Sequence, residues 1–379
     1  MDPSSPSPSG TPGALLDVKD LQVDFRSEDG RVHAVRGVDL VVEPGKVLAV
    51  VGESGSGKSV TAMSILGLLP SSAEVTGSIR FEGEELLEAS PTRLRQVRGA
   101  EIAMIFQDPL TALNPVYRVG DQIVEMIRAH SDVSKRAARA RAVEMLAEVG
   151  IPQPDKRARQ YPHEFSGGMR QRAMIAMALA CDPKLIIADE PTTALDVTVQ
   201  AQVLELLSSL SERLGTAIVL ITHDLGVVAG MADRVVVMYA GRLVEKGTVD
   251  DVFDATAHPY TAGLLASLPR LDRDVDEPLV PIGGQPPSML RPPPGCSFHP
   301  RCRFADEIDG CTSVVPPLVE FGVEHVSACH RAPVLVPEGA LARLAASPGT
   351  VSTPQATGVA PTPGLVEASG PSTPGTVEP

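Results

Sequence analysis

The sequence predicts an α/β fold built on a buried parallel sheet. Three short apolar runs, Lys46–Val51, Lys184–Asp189 and Thr216–Thr222, each end in glycine or polar residues and are separated by segments with helical spacing of apolar residues. Such runs are typical of strands that are covered on both faces. A chain of 379 residues can bury one large α/β domain and still include a smaller module and tails.

The first strand leads into a glycine-rich turn that is followed by the helical pattern Val60–Gly67. The turn fits the pattern G-x-x-x-x-G-K-S, whose glycines allow successive backbone N–H groups to face phosphate oxygens at a helix N-terminus. We expect Lys58 to reach the β- and γ-phosphates of a nucleotide, and Ser59 to bind Mg²⁺. Taken alone, the turn could be an ordinary Gly/Ser loop. The expected contact residues are Gly52, Glu53, Ser54, Gly55, Ser56, Gly57, Lys58, Ser59 and Val60.

Two extended segments precede this turn, Leu15–Phe25 and Val32–Val42, joined by Ser27–Gly30. They predict an antiparallel sheet beside the nucleotide. Phe25 could stack its ring on adenine, because an aromatic face binds a base with little need for hydrogen bonds. The alternative is that Phe25 belongs to the core, the usual place for phenylalanine.

Helical patterning dominates from about residue 90 to 180, interrupted by the apolar run Glu101–Phe106. A strand over this run would place Gln107 at its end. There Gln107 could reach Mg²⁺ or an attacking water, whereas without that context it would be a surface glutamine.

Ser166, Gly167 and Gly168 precede the strongly helical segment Met169–Ala180. Ser166 fits an N-cap, and the glycines leave N–H groups uncovered, so this helix start predicts a second anion site. In isolation the same residues would form only a helix cap.

Polar residues also end the second and third predicted strands. Asp189 suits Mg²⁺ ligation, and Glu190 could orient or deprotonate the attacking water. His223 ends the third strand and could contact the γ-phosphate while holding Glu190 or the water. Ligands of doubly wound sheets bind at the carboxyl ends of the strands, so Lys58, Glu190 and His223 are expected to converge.

Composition disfavours several other classes of protein. The net charge of −14, with 33 basic and 47 acidic residues, argues against a protein that grips a nucleic-acid backbone, and the 3% aromatic content without Trp disfavours base-stacking platforms. Residues 1–13 lack the basic and apolar regions of a secretory signal. The longest apolar run, Ala173–Cys181, is far shorter than the roughly 18 residues that suggest a membrane span. With five cysteines and no export signal, we expect a reducing compartment.

In this order, the motifs resemble those of the nucleotide-binding subunit of ATP-binding cassette (ABC) transporters. The resemblance covers about residues 14–265, and six motifs in order make it specific, although each motif is weak or moderate alone. The matches are Walker A at Gly52–Ser59, the Q-loop at Gln107, the signature at Ser166–Met169, Walker B at Leu185–Asp189 with Glu190, the D-loop at Ala194–Asp196, and the switch His223.

This resemblance implies a RecA-like P-loop ATPase core with a flanking antiparallel β subdomain and an α-helical subdomain over about residues 90–180. It also implies ATP and Mg²⁺ as cofactors, with Ser59, Gln107 and Asp189 around the metal. Glu190, His223 and Gln107 would be catalytic, and two subunits would dimerise head to tail, so that the signature of one closes on ATP held by the other. The sequence departs from the family pattern in two motifs. In the signature, Phe165 and Met169 stand where Leu and Gln are frequent, and after Ser59, Val60 stands where a second hydroxyl is frequent.

A second region, His258–Pro269 followed by Arg291–Cys302, resembles the C-terminal extension of oligopeptide and dipeptide importer ATPases. It contains Cys296, Cys302, Cys311 and Cys329 at the spacing C-x5-C-x8-C-x17-C. This spacing lacks the short C-x-x-C knuckle of structural zinc sites, whereas iron–sulfur clusters accept more varied spacing. Together with the resemblance, it favours a 4Fe–4S cluster, with zinc or metal-free thiols as alternatives. His299 and His330 are less favoured ligands.

The domain organisation expected from these motifs is a tail over residues 1–13, a nucleotide-binding domain over 14–265, an extension with the cysteine site over 266–335, and a flexible tail over 336–379. The residues of the last segment are mostly Pro, Gly, Ser, Thr and Ala, without periodicity.

The resemblance predicts an ATPase that powers peptide import from the cytoplasmic face of the cell membrane. Its partners would be a second ATPase subunit, identical or different, two membrane permease subunits and an extracytoplasmic substrate-binding protein, without nucleic acid. Three alternatives remain. They are an importer ATPase for nickel, glutathione or another small solute, a soluble ABC ATPase that acts on the ribosome or nucleic acid, and a nucleotide-gated regulator without turnover.

Overall fold

The fold is built on two β-sheets, one of eight strands and one of four. The computed structural model describes residues 11–193, 195–268, 281–305, 310–337 and 339–346, without the side chains of residues 110, 111, 343 and 346. The strands are β1 Leu16–Ser27, β2 Gly30–Val42, β3 Val47–Val51, β4 Ala73–Phe81, β5 Glu84–Glu85, β6 Ile102–Ile105, β7 Leu185–Asp189, β8 Ala217–Thr222, β9 Arg234–Tyr239, β10 Arg242–Thr248, β11 Val319–Gly322 and β12 His325–Ser327.

Helices cover both faces of the larger sheet and form most of the segment between β6 and β7. They are α1 Lys58–Ile65, α2 Pro91–Ala100, α3 Pro109–Ala112, α4 Val119–His130, α5 Lys135–Glu148, α6 Pro154–Arg157, α7 Gly167–Leu179, α8 Val197–Leu214, α9 Leu225–Met231, α10 Val249–Asp254, α11 Pro259–Ala266, α12 Ala332–Leu335 and α13 Ala340–Ala346. Short 3-10 helices lie at Pro162–Glu164 and His299–Arg301.

The centre of the larger sheet is parallel, as the sequence predicts. Its order is β9-β3-β8-β7-β6, and each neighbouring pair in this part is parallel. All residues of β3, β7 and β8 are buried, which explains their continuous apolar sequences. The carboxyl ends of these three strands therefore meet at one edge, where Gly52, Glu190 and His223 follow them.

The smaller sheet is antiparallel, in the order β2-β1-β4-β5. The predicted hairpin between β1 and β2 is confirmed, with Ser27 paired to Gly30. Strand β4 has no counterpart among the elements predicted from the sequence. Buried residues of this sheet, such as Leu16 and Ile79, share a core with Leu48 of β3 and Ile65 of α1. This core places the hairpin beside the start of α1.

The helices α4, α5 and α7 pack together and extend the core away from the sheet. Buried residues of these helices, including Ile123, Leu146 and Ile175, join Ile186 of β7 and Val203 of α8 in one cluster. The run Ile102–Ile105 forms β6 at the edge of the parallel sheet, so the predicted strand inside the helical region is confirmed.

The C-terminal segment continues the larger sheet. Strand β12 pairs with β10, where Glu245 lies opposite Ser327. The buried Glu245 carboxylate also contacts Nε2 of His325 at 3.0 Å. Tyr239 of β9, Tyr260 of α11 and Phe298 pack as an aromatic cluster with ring centroids 4.6 to 5.4 Å apart. The predicted extension is thus joined to the nucleotide-binding domain by both backbone pairing and apolar packing.

The predicted flexible tail does not begin at residue 336, because α13 covers Ala340–Ala346. Leu341 and Leu344 of this helix are buried against Leu335 and Ala262. A helix of this length shows too few turns for an apolar repeat to stand out in a Pro- and Ala-rich sequence. Residues 1–10 and 347–379 of the predicted tails lie outside the described residues. Among the helices that are described, none combines the length and apolarity needed to cross a bilayer.

Candidate nucleotide-binding site

The glycine-rich turn connects β3 to α1. At two of its positions, Gly52 and Gly57, another part of the backbone lies too close for any side chain. A Cβ atom on Gly52 would lie 2.2 Å from the carbonyl oxygen of Met238. One on Gly57 would lie 2.6 Å from the carbonyl oxygen of Ala34, and the φ angle of Gly57 is 101°. The turn is therefore fixed between β2 and β9, with the N-terminus of α1 open.

Lys58 lies at the start of α1, and its ammonium group bends back over the turn. Nζ donates hydrogen bonds to the carbonyl oxygens of Gly52 at 2.8 Å and Glu53 at 3.0 Å. Burial lowers the pKa of Lys58, while Glu190, Asp189 and Glu53 oppose this effect. The ammonium group is thus close to the loop backbone and poorly solvated, as suits a group that binds phosphate.

Ser59 and Asp189 join the turn to the end of β7. The Ser59 hydroxyl donates to Oδ1 of Asp189 at 3.0 Å. Burial raises the pKa of Asp189, and the hydrogen bond from Ser59 opposes this rise. A divalent cation between the two residues would offset the buried negative charge, and hydroxyl and carboxylate oxygens are the donors that Mg²⁺ prefers. The two residues therefore fit the predicted magnesium site.

Glu190 contacts two other predicted site residues, Gln107 and His223. Its carboxylate accepts hydrogen bonds from Nε2 of Gln107 at 3.0 Å and the hydroxyl of Thr193 at 2.9 Å. Nδ1 of His223 lies 3.4 Å from the other carboxylate oxygen. The φ angle of Glu190 is 47°, in the left-handed region that non-glycine residues rarely adopt. Such strain is frequent at functional sites.

Thr193 is not among the site residues predicted from the sequence, although it lies three residues after Glu190. A threonine in the turn after a strand has no distinctive pattern. Its proximity in the chain to an acidic strand end was the only available signal.

A cavity of about 770 Å³ opens over the turn. Its size is within the range of about 300–1,000 Å³ that is usual for ligand sites. The lining residues are Phe25, Val32, Ala34, Ser54, Gly55, Gly57, Lys58, Ser59, Val60, Gln107, Glu190, His223 and Met289.

Two large apolar side chains of this cavity, Phe25 and Met289, come from segments that lie far apart in the sequence. Phe25 is half-buried and both lines the cavity and packs against the core of the smaller sheet, so its stacking on adenine stays a prediction. Met289 comes from the C-terminal extension, where its carbonyl oxygen accepts a hydrogen bond from the N–H of His33 at 3.0 Å. Met289 is not among the residues predicted from the sequence, because a single methionine in a Pro-rich segment has no pattern.

The predicted second anion site does not lie at this cavity. The Ser166 hydroxyl caps α7 by accepting a hydrogen bond from the N–H of Met169 at 3.3 Å, as predicted. Ser166 and Gly167 are exposed, and they are not among the residues that line the cavity. Phe165, which departs from the family pattern, is buried in the helical core. The signature is therefore exposed at Ser166 and Gly167, outside the lining of the cavity over the glycine-rich turn Gly52–Ser59, hereafter the phosphate turn.

The neighbouring D-loop residues are only partly described. Ala194 lies outside the described residues, whereas Asp196 caps α8 by accepting a hydrogen bond from the N–H of Val199 at 3.0 Å. A Cβ atom on Gly168 would lie 2.8 Å from a methyl group of Val199, so the signature packs closely on α8.

The four cysteines of the extension line one small cavity. Burial raises the pKa of Cys302 to about 12 and that of Cys329 to about 11, and neighbouring thiols add to both shifts. Within the described ranges, no set of three or more His, Cys, Asp and Glu side chains is arranged to hold a metal ion. The four thiols therefore line the same cavity, but they are not arranged around a common point at which a metal ion could bind.

The chemistry of this cavity nevertheless suits a metal group bound by sulfur. Buried thiols ionise only when a cation offsets their charge, and a metal supplies it. Cys181 is separate from the other four, with its thiol 3.8 Å from the carbonyl oxygen of Met126. His299 and His330 also line the cavity, but each contacts a backbone carbonyl oxygen, of Cys296 at 2.9 Å and of Val314 at 2.8 Å.

Two family models match the chain. The model described as ABC transporter matches residues 35–193, which include the phosphate turn, the signature and Glu190. The model described as Oligopeptide/dipeptide transporter, C-terminal region, matches residues 244–311, which include three of the four clustered cysteines.

Curated relatives are similar over most of the chain. The Oligopeptide transport ATP-binding protein OppD of Bacillus subtilis is 56% identical over 297 residues, which are 78% of this chain and 83% of the relative. The OppD protein of Escherichia coli is 52% identical over 84% of this chain and 93% of its own length. The Dipeptide transport ATP-binding protein DppD of B. subtilis is 56% identical over 76% of this chain and 86% of its own length.

Solved structures of ATP-binding cassettes share the fold. A dimeric post-hydrolysis state of the cassette MJ0796, bound to ADP and phosphate, aligns with a TM-score of 0.56 at 25% identity, over 62% of this chain and 99% of that one. The structure of cbiO1 from Clostridium perfringens, part of the ABC transporter complex cbiONQ, aligns with a TM-score of 0.54 at 29% identity, over 64% of this chain and 91% of that one.

Proposed function

The chain belongs to the family of ATP-binding subunits of oligopeptide and dipeptide ABC transporters, and we propose that it hydrolyses ATP to power peptide import. One observation carries this proposal. Lys58, Gln107, Glu190 and His223 line one cavity in a chain whose C-terminal region matches the peptide-transporter extension.

In this proposal the phosphate turn binds ATP through its backbone N–H groups and Lys58. The phosphates replace the carbonyl oxygens that Lys58 now contacts, because a charged oxygen is the stronger acceptor. Ser59 and Asp189 hold Mg²⁺ with the help of Gln107, and the bound ion offsets the charge of the β- and γ-phosphates. Phe25 and Met289 contact the base.

Glu190 acts as the general base in the hydrolysis step. Its carboxylate is held by Gln107 and Thr193, which leaves it directed into the cavity where the attacking water must lie. A carboxylate that accepts the proton from this water makes it a better nucleophile. His223 is 65% exposed and contacts only one oxygen of Glu190 in this form, so it is free to turn toward the γ-phosphate.

A second cassette completes the site. The exposed position of Ser166 and Gly167 supports this step, because neither residue lines the cavity over the phosphate turn of the same chain. The partner is either another copy of this chain or a related subunit. ATP between two cassettes favours the closed dimer, and hydrolysis removes that preference, which is how nucleotide contacts shift the population of states.

The same proposal places the subunit on the cytoplasmic face of the membrane, bound to two permease subunits that receive peptide from a substrate-binding protein. We assign the contact with the permeases to the segment that follows Gln107, which exposes apolar side chains within ten positions of it in the sequence. Phe106, Val116 and Tyr117 have 36%, 70% and 56% of their surface exposed.

For the extension, we infer that Cys296, Cys302, Cys311 and Cys329 hold a 4Fe–4S cluster, with zinc as the alternative. The cavity that the four cysteines share supports this inference. Anaerobic purification followed by iron, sulfide and zinc assays tests it. Stoichiometric iron and sulfide are expected, whereas zinc would favour the alternative and a folded, metal-free protein would contradict both.

The function is tested with the chain assembled with its permeases in liposomes. Labelled di- and oligopeptides should enter the lumen only when ATP and Mg²⁺ are supplied on the cassette side, and phosphate release should rise with peptide and binding protein. Transport of nickel or glutathione instead of peptides would replace the proposed substrate. Phosphate release that depends on RNA and not on the permeases would contradict the proposal.

A further inference from the structure

The phosphate turn is held from outside by an arginine of the C-terminal extension. Arg301 donates from one terminal nitrogen to Oε2 of Glu53 at 2.7 Å and from the other to Oε1 at 3.0 Å. The two residues are 248 positions apart in the chain. The Arg301 side chain is 5% exposed and that of Glu53 is 25% exposed, so this ion pair is partly shielded from water.

The orientation of the Arg301 guanidinium is fixed by its other contacts. Its Nε atom donates to the carbonyl oxygen of Gly283 at 2.8 Å. The terminal nitrogens also donate to the carbonyl oxygen of Ile282 at 3.2 Å and the hydroxyl of Tyr239 at 3.3 Å. All five N–H groups of the guanidinium therefore have an acceptor, which makes Arg301 a pre-organised anchor.

Glu53 connects this anchor to the ammonium group of the site. Its backbone N–H donates to the hydroxyl of Tyr260 at 2.8 Å, and its carbonyl oxygen accepts from Lys58 at 3.0 Å. The carboxylate, the N–H and the carbonyl of a single residue are thus bound by three different elements of the chain. Moving Glu53 would move the backbone that Lys58 contacts.

The charge of Glu53 matters as much as its position. Its carboxylate belongs to the phosphate turn itself and lies close enough to Lys58 to raise the pKa of that ammonium group. A negative group beside a polyphosphate site repels the ligand unless it is paired. Arg301 supplies the opposite charge and directs the carboxylate toward the extension.

We propose that Arg301 is a positioning residue for the nucleotide: it neutralises and holds Glu53, so that the phosphate turn is ordered before ATP arrives. The proposal rests on the proposed function, because the ligand is the triphosphate of that same site. It makes the extension a part of ATP binding that is separate from its role around the cysteines.

The test measures the Kd of MgATP and of AMP by calorimetry with the full chain. The variants are Arg301→Met, Arg301→Lys, Glu53→Gln and the double variant Arg301→Met/Glu53→Gln. Arg303→Met, at an exposed arginine two residues away, is the matched control. Thermal unfolding of each variant separates an effect on the site from an effect on the fold.

Arg301→Met should raise the Kd of MgATP about tenfold, because it leaves the Glu53 carboxylate unpaired on the phosphate turn and releases the backbone that Lys58 contacts. The Kd of AMP should change little, since AMP lacks the β- and γ-phosphates. Adding Glu53→Gln to Arg301→Met should recover much of the lost affinity for MgATP. The Kd of Arg301→Lys should lie between those of wild type and Arg301→Met, because lysine keeps the positive charge but lacks the paired nitrogens of the guanidinium group. Arg303→Met should bind like wild type.

An unchanged Kd in Arg301→Met, an equal loss for AMP and MgATP, or no recovery in the double variant would overturn the proposal. Should Arg301→Met fail to fold, Arg301→Lys and Glu53→Gln decide the question by the same comparison. A wild-type chain that does not bind MgATP would overturn the proposed function and this inference with it. If the wild-type chain binds MgATP and Arg301→Met binds it with the same Kd, this inference alone would be overturned.

Discussion

The side-chain amide of Gln107 lies 3.0 Å from the carboxylate of Glu190, across 83 positions of sequence. This contact joins the end of β6 to the end of β7 at the opening of the nucleotide cavity. Gln107 leads into the helical region that bears the signature, so a movement of that region would reach the proposed general base through this contact.

Glu190→Gln should slow ATP turnover by roughly 10²- to 10⁴-fold, the usual contribution of a general base. The amide keeps the size of the side chain but cannot take a proton from water. The Kd of MgATP should stay close to that of wild type, since Lys58 and Ser59 remain. Steady-state phosphate release and calorimetry measure the two effects, with the exposed Glu205→Gln of α8 as a control. Near wild-type turnover in Glu190→Gln would rule out its role as base.

Met289→Ala should weaken binding of ATP several-fold, because truncation removes apolar contact from the base side of the cavity. Loss of about 1.4 kcal/mol corresponds to a tenfold change in Kd. Met289→Leu keeps the apolar volume and should bind nearly as wild type. Leu290→Ala is the matched control, since Leu290 adjoins Met289 but does not line the cavity. Equal binding by Met289→Ala and wild type would remove Met289 from the site.

Cys302→Ser should abolish stoichiometric iron after anaerobic purification, because a cluster needs all of its thiolate ligands. Cys181→Ser should keep the wild-type iron and sulfide content, since Cys181 contacts Met126 of α4 and does not line the cysteine cavity. Iron and sulfide assays with visible absorption spectra compare the two variants. Identical iron in both would argue against the assigned ligands.

His258 should make the chain less stable in acid. Burial lowers its pKa from 6.5 to about 3, and its Nδ1 accepts a hydrogen bond from the N–H of Tyr260 at 3.0 Å as the N-cap of α11. Between these two pKa values the unfolded chain binds a proton that the folded chain excludes. The contribution to stability is therefore complete above pH 6.5 and is lost as pH falls toward about 3.

His258→Asn keeps an N-cap acceptor and removes this titration. Its free energy of unfolding should fall less with acidification than that of wild type, whatever constant offset the smaller side chain causes. Denaturant titrations above and within the window between the two pKa values compare the slopes. Parallel slopes for the two proteins would show that His258 does not carry the acid sensitivity.

The sequence predicted the site well where a residue ends a buried strand. Gly52, Glu190 and His223 follow apolar runs whose parallel pairing brings their ends to one edge, so local pattern and topology agree. It predicted less where contacts join distant segments. The contacts of Met289 and Arg301 depend on how the extension packs on the β1–β2 hairpin and the phosphate turn, which no local pattern records. Strand β4 depends on its pairing with β1, from which the phosphate turn and α1 separate it in the sequence.

Helix α13 was also not predicted, because it depends on contacts with other helices. Its two buried leucines are stabilised by Leu335 and Ala262 from other helices, and not by a repeat within the segment. Tertiary packing decides the structure of such a short helix, whose own propensity is too weak to form it. The four-cysteine site follows from composition and resemblance, and the four cysteines line one cavity, whereas the metal group held there stays a proposal.

The central claim is that this chain contains half of an ATP site, and turnover measured against assembly state tests it most directly. Sedimentation with phosphate release, over a range of protein concentrations, gives the activity of monomer and dimer separately. We expect the monomer to bind MgATP and hydrolyse it poorly, and turnover per chain to rise as cassettes pair with each other or with a partner subunit. High turnover by a proven monomer would contradict the account.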